Sequence, residues 1–171
     1  LDVMSMTIRK NNLGDSILTD VNFYDDDRIK KRVYSGETLF GKKLITFRNG
    51  GIGDLIFQLP AMKELKDTYN KNVELTLCCN EQYLDIFKNI EYVDNIITLP
   101  LKLELLLSHD YFVNFEGLIE SSDRAKFINA YDLHAEKFFV KPKDMNPKLQ
   151  SDEEHDKIVL REIDKSKTNI V

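Results

Sequence analysis

From about residue 43 onward, short apolar runs alternate with amphipathic stretches. Residues 44–47, Leu-Ile-Thr-Phe, are a β-favouring run, followed by Arg48, Asn49, Gly50, Gly51, Ile52, Gly53 and Asp54. Leu55, Leu59, Met62, Leu65 and Lys66 then recur at helical spacing, with Lys63, Glu64 and Asp67 on the other side. This predicts a strand, a glycine-rich turn and a helix, the opening unit of a parallel α/β sheet. Asp54 falls near the start of that helix, where a carboxylate can cap free N–H groups and meet the positive end of the helix dipole.

The rhythm continues. Residues 73–79 and 95–99 read as strands, with a short helix over 81–89 between them and Pro100 as a stop. The run 101–107 alternates like a strand but is built of helix formers, and a short helix is expected there. Residues 111–115 read as a buried fourth strand ending at Glu116-Gly117. A helix is expected over 121–130, capped by Ser121 or Ser122, then a short strand at 138–140. Strands that alternate with helices need right-handed crossovers. The expected fold is therefore an α/β, Rossmann-like parallel sheet with helices on both faces and strand 44–47 central.

Around this core the pattern is less regular. Residues 1–42 mix turn formers with charge and suggest an extended arm, with an edge strand from Val33, Tyr34, Thr38, Leu39 and Phe40. Asp25 and Asp27 have a D-x-D spacing that some metal-dependent transferases use, but a solvated charge cluster fits better. Residues 141–154 read as a linker and 152–165 as a helix, before an apolar strand start at Thr168, Asn169, Ile170 and Val171. Three segments are thus expected: an arm over 1–42, a Rossmann-like domain over 43–150, and a linking helix with the start of a further domain over 151–171.

Composition narrows the function classes. The 171 residues are 42% hydrophobic and 31% charged, with a formal net charge of −5, which argues against a general binder of nucleic acid or membrane surface. No apolar run approaches the roughly 20 residues that span a bilayer. At most a peripheral membrane contact is expected, together with a cytoplasmic location. Cys78 and Cys79 are adjacent on one strand, so they face opposite sides and read as reduced, buried thiols. His109, His134 and His155 have no ligand spacing, and neither a metal nor a cofactor is expected.

The glycine turn admits several chemistries. It is a plain βα connection with Asp54 as N-cap, or a dinucleotide fingerprint in which Gly51 and Gly53 hold the first two positions. Ile56 at the third position, and a fixed negative charge at Asp54, oppose the second. A further reading comes from likeness. The stretch RNGGIGDLIFQLPAMKELK, with Gly53-Asp54, Leu59-Pro60-Ala61 and Leu65 in order, resembles the N-terminal signature of the heptosyltransferase family of glycosyltransferases. YLDIFKNIEYVDNIITLP at 83–100, DYFVNFEG at 110–117 and PKLQSDEEHDKIVLREI at 147–163 resemble later segments of the same family. The resemblance spans about residues 43–171 and does not reach the arm.

That resemblance implies the N-terminal, acceptor-side half of a GT-B type enzyme. The nucleotide-sugar donor would sit mainly on a second domain, expected to follow Val171. It implies inverting transfer to a hydroxyl of a saccharide or glycolipid, as in lipopolysaccharide biosynthesis, and little activity from this half alone. Asp54 would be the catalytic base, and Gly50, Gly51 and Gly53 would let the backbone approach the sugar diphosphate. Arg48 would contact an anionic acceptor or be a surface charge, and Glu116 would bind acceptor hydroxyls or cap a turn. Arg124 and Lys126 lie in the region of the acceptor-binding basic residues without aligning to them. A Rossmann-like binding or assembly domain without catalysis is the alternative.

Overall fold

The computed structural model describes residues 5–10, 16–22 and 26–149, with side chains from residue 26 onward. In chain order the elements are β1 (Ser5–Lys10), β2 (Ser16–Asn22), α1 (Asp27–Lys30), β3 (Lys42–Phe47), α2 (Ile52–Thr68) and β4 (Val73–Cys79). A 3₁₀ turn (Glu81–Tyr83) then leads into α3 (Leu84–Phe87), β5 (Asn95–Thr98), β6 (Leu101–Lys102), α4 (Leu103–Leu107) and β7 (Tyr111–Asn114). A second 3₁₀ turn (Asp123–Lys126) precedes α5 (Ala130–Lys137).

Four strands form one wholly parallel sheet in the order β5-β4-β3-β7. β3 is central, as the sequence predicts: Leu44 pairs with Leu75 on one side and Tyr111 on the other. Alternation along the strands divides the core into two layers. Leu44, Leu75, Leu77, Cys79, Val113 and Phe115 meet Leu55, Leu59, Met62 and Leu65 of α2 and Ala135 of α5 on one face. Ile45, Phe47, Cys78 and Phe112 meet Ile29 of α1 and Leu103 and Leu106 of α4 on the other. The two cysteines therefore face opposite sides; both are free and buried, and burial pushes the Cys79 thiol up to about 11. His109 ties the second layer together, its ring nitrogens meeting Leu105 O at 2.8 Å and Thr76 Oγ1 at 2.9 Å.

Several expectations are corrected. The arm holds an antiparallel pair, β1 with β2, which joins β6 through Ile17–Lys102 and Leu18–Leu101. The edge strand expected at Val33, Tyr34 and 38–40 is reduced to a single parallel bridge from Val33 to Phe112. Gly36 and Gly41, at φ 98° and 70°, turn the chain away before pairing can extend. Asp26 caps α1 by accepting from Arg28 N at 2.9 Å, and the Arg28 guanidinium holds its carboxyl down at about 2. Asp27 opens α1, whereas Asp25 lies outside the described residues.

The helix expected over 121–130 is absent. Its region is turns and 3₁₀, and α5 starts at Ala130 because Asn129 is the cap, accepting from Asp132 N at 2.9 Å. The strand expected at 138–140 is instead the helix exit: Phe138 is the C-cap, and Phe139 takes the left-handed conformation at φ 56°. The helix expected over 152–165, His155 and the strand start at 168–171 lie outside the described residues.

Leu44 is wholly buried at the centre of the first layer. Leu44→Ala should cost about 2–5 kcal/mol in urea unfolding, the usual range for a core leucine truncation. A loss below about 1 kcal/mol would show that β3 is not the spine of the core.

Candidate active site

β3 leads through α2 to β4 on one side, while β7 returns to lie on its other side. The strand order therefore reverses between β3 and β7. In open parallel sheets this switch point, at the carboxyl ends of the strands, is where ligand crevices form. The residues leaving β3 are Arg48 and Asn49; those leaving β7 are Phe115 and Glu116.

These residues are tied across the gap. Arg48 is only 5% exposed. Its Nε and Nη2 donate to Asp54 Oδ2 at 3.0 and 2.5 Å, and Nη2 donates also to Glu120 Oε1 at 2.9 Å. Nη1 donates to the Phe115 carbonyl at 3.2 Å and lies 3.7 Å from Glu116 Oε2. Glu116 also accepts from Asn49 N, and its own N–H donates to Asn114 Oδ1 at 2.9 Å. Burial opposes the Arg48 charge, but the Glu120 and Asp54 hydrogen bonds outweigh it and leave the guanidinium pKa above its ordinary value. Glu120 is held below the usual carboxylate range by a backbone N–H and by Arg48.

The placement refines the sequence reading. Asp54 is not the N-cap: Gly51 holds that position, and Asp54 sits in the first turn of α2 with its carboxylate turned to Arg48. Arg48 is not a surface charge but a buried one. Of the three glycines, Gly50 is the constrained one, since a Cβ there would lie 2.2 Å from Arg48 Nε. A Cβ on Gly51 would meet nothing within 4 Å, and one on Gly53 only Phe57 at 3.8 Å. Structure thus brings Arg48, Gly50, Asp54 and Glu116 together at one rim, with Gly51 and Gly53 opening α2 beside them. It adds Glu120, which the reading of the sequence did not single out.

Two buried polar side chains lie close to this cluster. Gln58 is one turn beyond Asp54 on α2, wholly buried, with neither amide atom partnered among the described residues. His134 of α5 is also wholly buried and stacks on Phe115 at 5.0 Å with 13° between planes. A carbonyl only accepts, so the 2.7 Å contact to Ala130 O places a proton on Nδ1 and leaves Nε2 as an unpartnered acceptor. Burial is the main influence on His134 and holds its pKa below 6.5. The Ala130 carbonyl, Asp54 and Glu120 pull it upward, and Arg48 downward. Neither residue was assigned a role from sequence. Among the described residues, no group of three or more His, Cys, Asp or Glu is placed to hold a metal ion, and no helix is long and apolar enough to cross a membrane.

No protein-family model, curated protein or solved structure matches the chain.

Gly50→Ala should force the guanidinium off its carboxylates and lower stability by about 1–3 kcal/mol, the scale of overpacking. Gly51→Ala, with open space at that position, should stay within about 0.5 kcal/mol. Equal effects in chemical denaturation would show that Arg48 does not fill the space over Gly50.

His134 yields a pH prediction. The native state prefers it neutral, whereas the unfolded chain takes up a proton near pH 6.5. Its contribution is full above that pH and declines as pH falls toward the lower, folded-state pKa. The melting temperature should therefore drop between about pH 7.5 and about pH 5.5. His134→Phe, which keeps a ring against Phe115, should flatten the drop; an unchanged slope would place its cause elsewhere.

Proposed function

We propose that this chain is the acceptor-side domain of an inverting, heptosyltransferase-like glycosyltransferase of the GT-B type, with Asp54 as the base. One observation carries the reading: a carboxylate, Asp54, stands at the switch point of a four-stranded parallel sheet, fixed by a buried arginine. The likeness of residues 43–66 to the family's opening signature points to the same carboxylate. The chemistry asks little more of this half. A saccharide hydroxyl would lie on the rim between β3 and β7, and its proton would pass to Asp54 as its oxygen attacks the anomeric carbon. Both Arg48 hydrogen bonds land on Oδ2, and among the described residues none reaches Oδ1, which is the oxygen this reading uses. Arg48 then acts by positioning the base. The nucleotide-sugar would be held mainly by a second domain, and departure of the diphosphate would rely on positive groups there.

A specific observation favours a second reading. Asp54 already satisfies a buried guanidinium, so it serves equally to lock the end of β3 to α2 in a binding or assembly domain without catalysis. The two readings part on one substitution.

Asp54→Asn removes the charge that faces Arg48 but leaves Glu116 and Glu120, so stability should fall by about 1–3 kcal/mol in either case. In the complete polypeptide supplied with nucleotide-sugars and a saccharide acceptor, turnover measured by mass spectrometry should also fall on the order of 10²-fold, the scale of a lost general base. Turnover within a few-fold of the parent, beside lowered stability, would make Asp54 a structural lock.

A further inference from the structure

We infer that the core layer between β3, α2 and α5 encloses bound water, a single molecule or a hydrogen-bonded pair, held by Thr46, Gln58 and His134 next to the Arg48 ion cluster. Four buried polar atoms on three separate elements, all turned to the same layer, carry the inference.

The placement follows from each element. Leu44 and Thr46 alternate with Ile45 and Phe47 along β3, so Thr46 shares the face of Leu44, which packs with α2. In the sheet it stands between Leu77 and Val113, both of that same layer. Gln58 lies three residues after Leu55 and four before Met62, on the face of α2 that meets the sheet. His134 enters from α5, with its ring stacked on Phe115 of this layer and 5.7 Å from the ring of Phe57, the neighbour of Gln58. The three side chains thus approach from the sheet, from α2 and from α5, and each is wholly buried. Asp54 precedes Gln58 by one turn, Arg48 follows Thr46 by two residues, and the charges of Asp54, Arg48 and Glu120 act on His134.

Among the described residues, Thr46 Oγ1, Gln58 Oε1, Gln58 Nε2 and His134 Nε2 have no hydrogen-bond partner. Such atoms are rare in a folded core, because a polar group taken out of water without a new partner is unfavourable. Here their needs are complementary. With Nδ1 donating to the Ala130 carbonyl, His134 Nε2 can only accept, and so can Gln58 Oε1. Gln58 Nε2 donates, and the Thr46 hydroxyl does either. Water brings two donors and two acceptors, and a buried molecule makes about three such bonds. It would donate to His134 and to the Gln58 carbonyl oxygen, and accept from the Gln58 amide and the Thr46 hydroxyl. A neutral occupant suits the layer better than an ion. Neither Thr46, Gln58 nor the neutral His134 brings a charge to it, and the charges beside it are already paired with one another.

Nuclear Overhauser spectroscopy on the isotope-labelled chain tests this. Cross-peaks from water should appear at the Thr46 methyl and the Gln58 side-chain amide, with opposite signs in the laboratory and rotating frames, the mark of bound water rather than of proton exchange. Oxygen-17 relaxation dispersion of the solvent gives a second reading. Combining Thr46→Val, Gln58→Leu and His134→Phe removes the four polar atoms at nearly constant volume, and should lower the dispersion amplitude by that of one or two long-lived waters. An unchanged amplitude in the folded variant would overturn the inference. So would absence of water cross-peaks at both residues of the parent protein, a result that does not need the variant to fold. A scalar coupling across a hydrogen bond from Gln58 Nε2 to His134 Nε2 would likewise overturn it, by showing that the layer is satisfied through direct pairing.

Discussion

The guanidinium of Arg48 sets the terms for everything at the carboxyl end of the sheet. A nearly buried cation is unfavourable unless its donors are met and its charge balanced. Here the partners come from separate stretches of chain: Asp54 from the first turn of α2, and Phe115, Glu116 and Glu120 from the segment that leaves β7. Their convergence fixes the exit of β3, the entry of α2 and the exit of β7 relative to one another. It also explains a glycine: the guanidinium lies where a side chain on Gly50 would begin. The turn is shaped first by the need to house a charge, and any ligand chemistry at the rim is built on that arrangement.

The parallel sheet was legible because its strands are covered on both faces. Val73–Cys79 is buried at all but one position, and such a strand reads as a nearly unbroken apolar run. The long helix α2 declared itself through Leu55, Leu59, Met62 and Leu65, all of which the core absorbs. The stretch after β7 misled for a physical reason. Two serines and an aspartate at 121–123 look like a helix start, yet Asn129 is the residue whose side chain satisfies a helix N–H. The helix then buries a histidine, His134, which an apolar-periodicity count scores as polar. The antiparallel pairing of β1 with β2 was missed although the sequence between them holds Asn11, Asn12 and Gly14. Their turn signal was read together with the charges that follow as the mark of an extended segment.

At the candidate site, what could be read was what depends on position along a strand. Arg48 and Glu116 follow the ends of β3 and β7, Gly50 lies in the turn and Asp54 in the first turn of α2, so all four were expected near the rim. The contacts of Arg48 and Asn49 with Phe115 and Glu116 were hidden, since residues 67 apart in sequence carry no mark of pairing. Glu120 was not singled out, since a carboxylate 72 positions from its arginine carries no mark of that partner. A usable signal existed: a single arginine directly after an apolar strand must find carboxylates nearby or leave the interior, and acidic residues follow the neighbouring strand.

The adjacent cysteines of β4 have a use beyond packing. One thiol lies in each core layer, both are wholly buried, and burial holds both in the unreactive protonated form. A thiol-directed reagent added to the native protein would therefore register neither surface motion nor fraying. It would react at Cys79 only when the layer of α2 and α5 lifts from the sheet, and at Cys78 only when the layer of α1 and α4 does. The rates of labelling at the two positions are then clocks for the opening of the two layers, and their ratio shows which layer parts from the sheet more often.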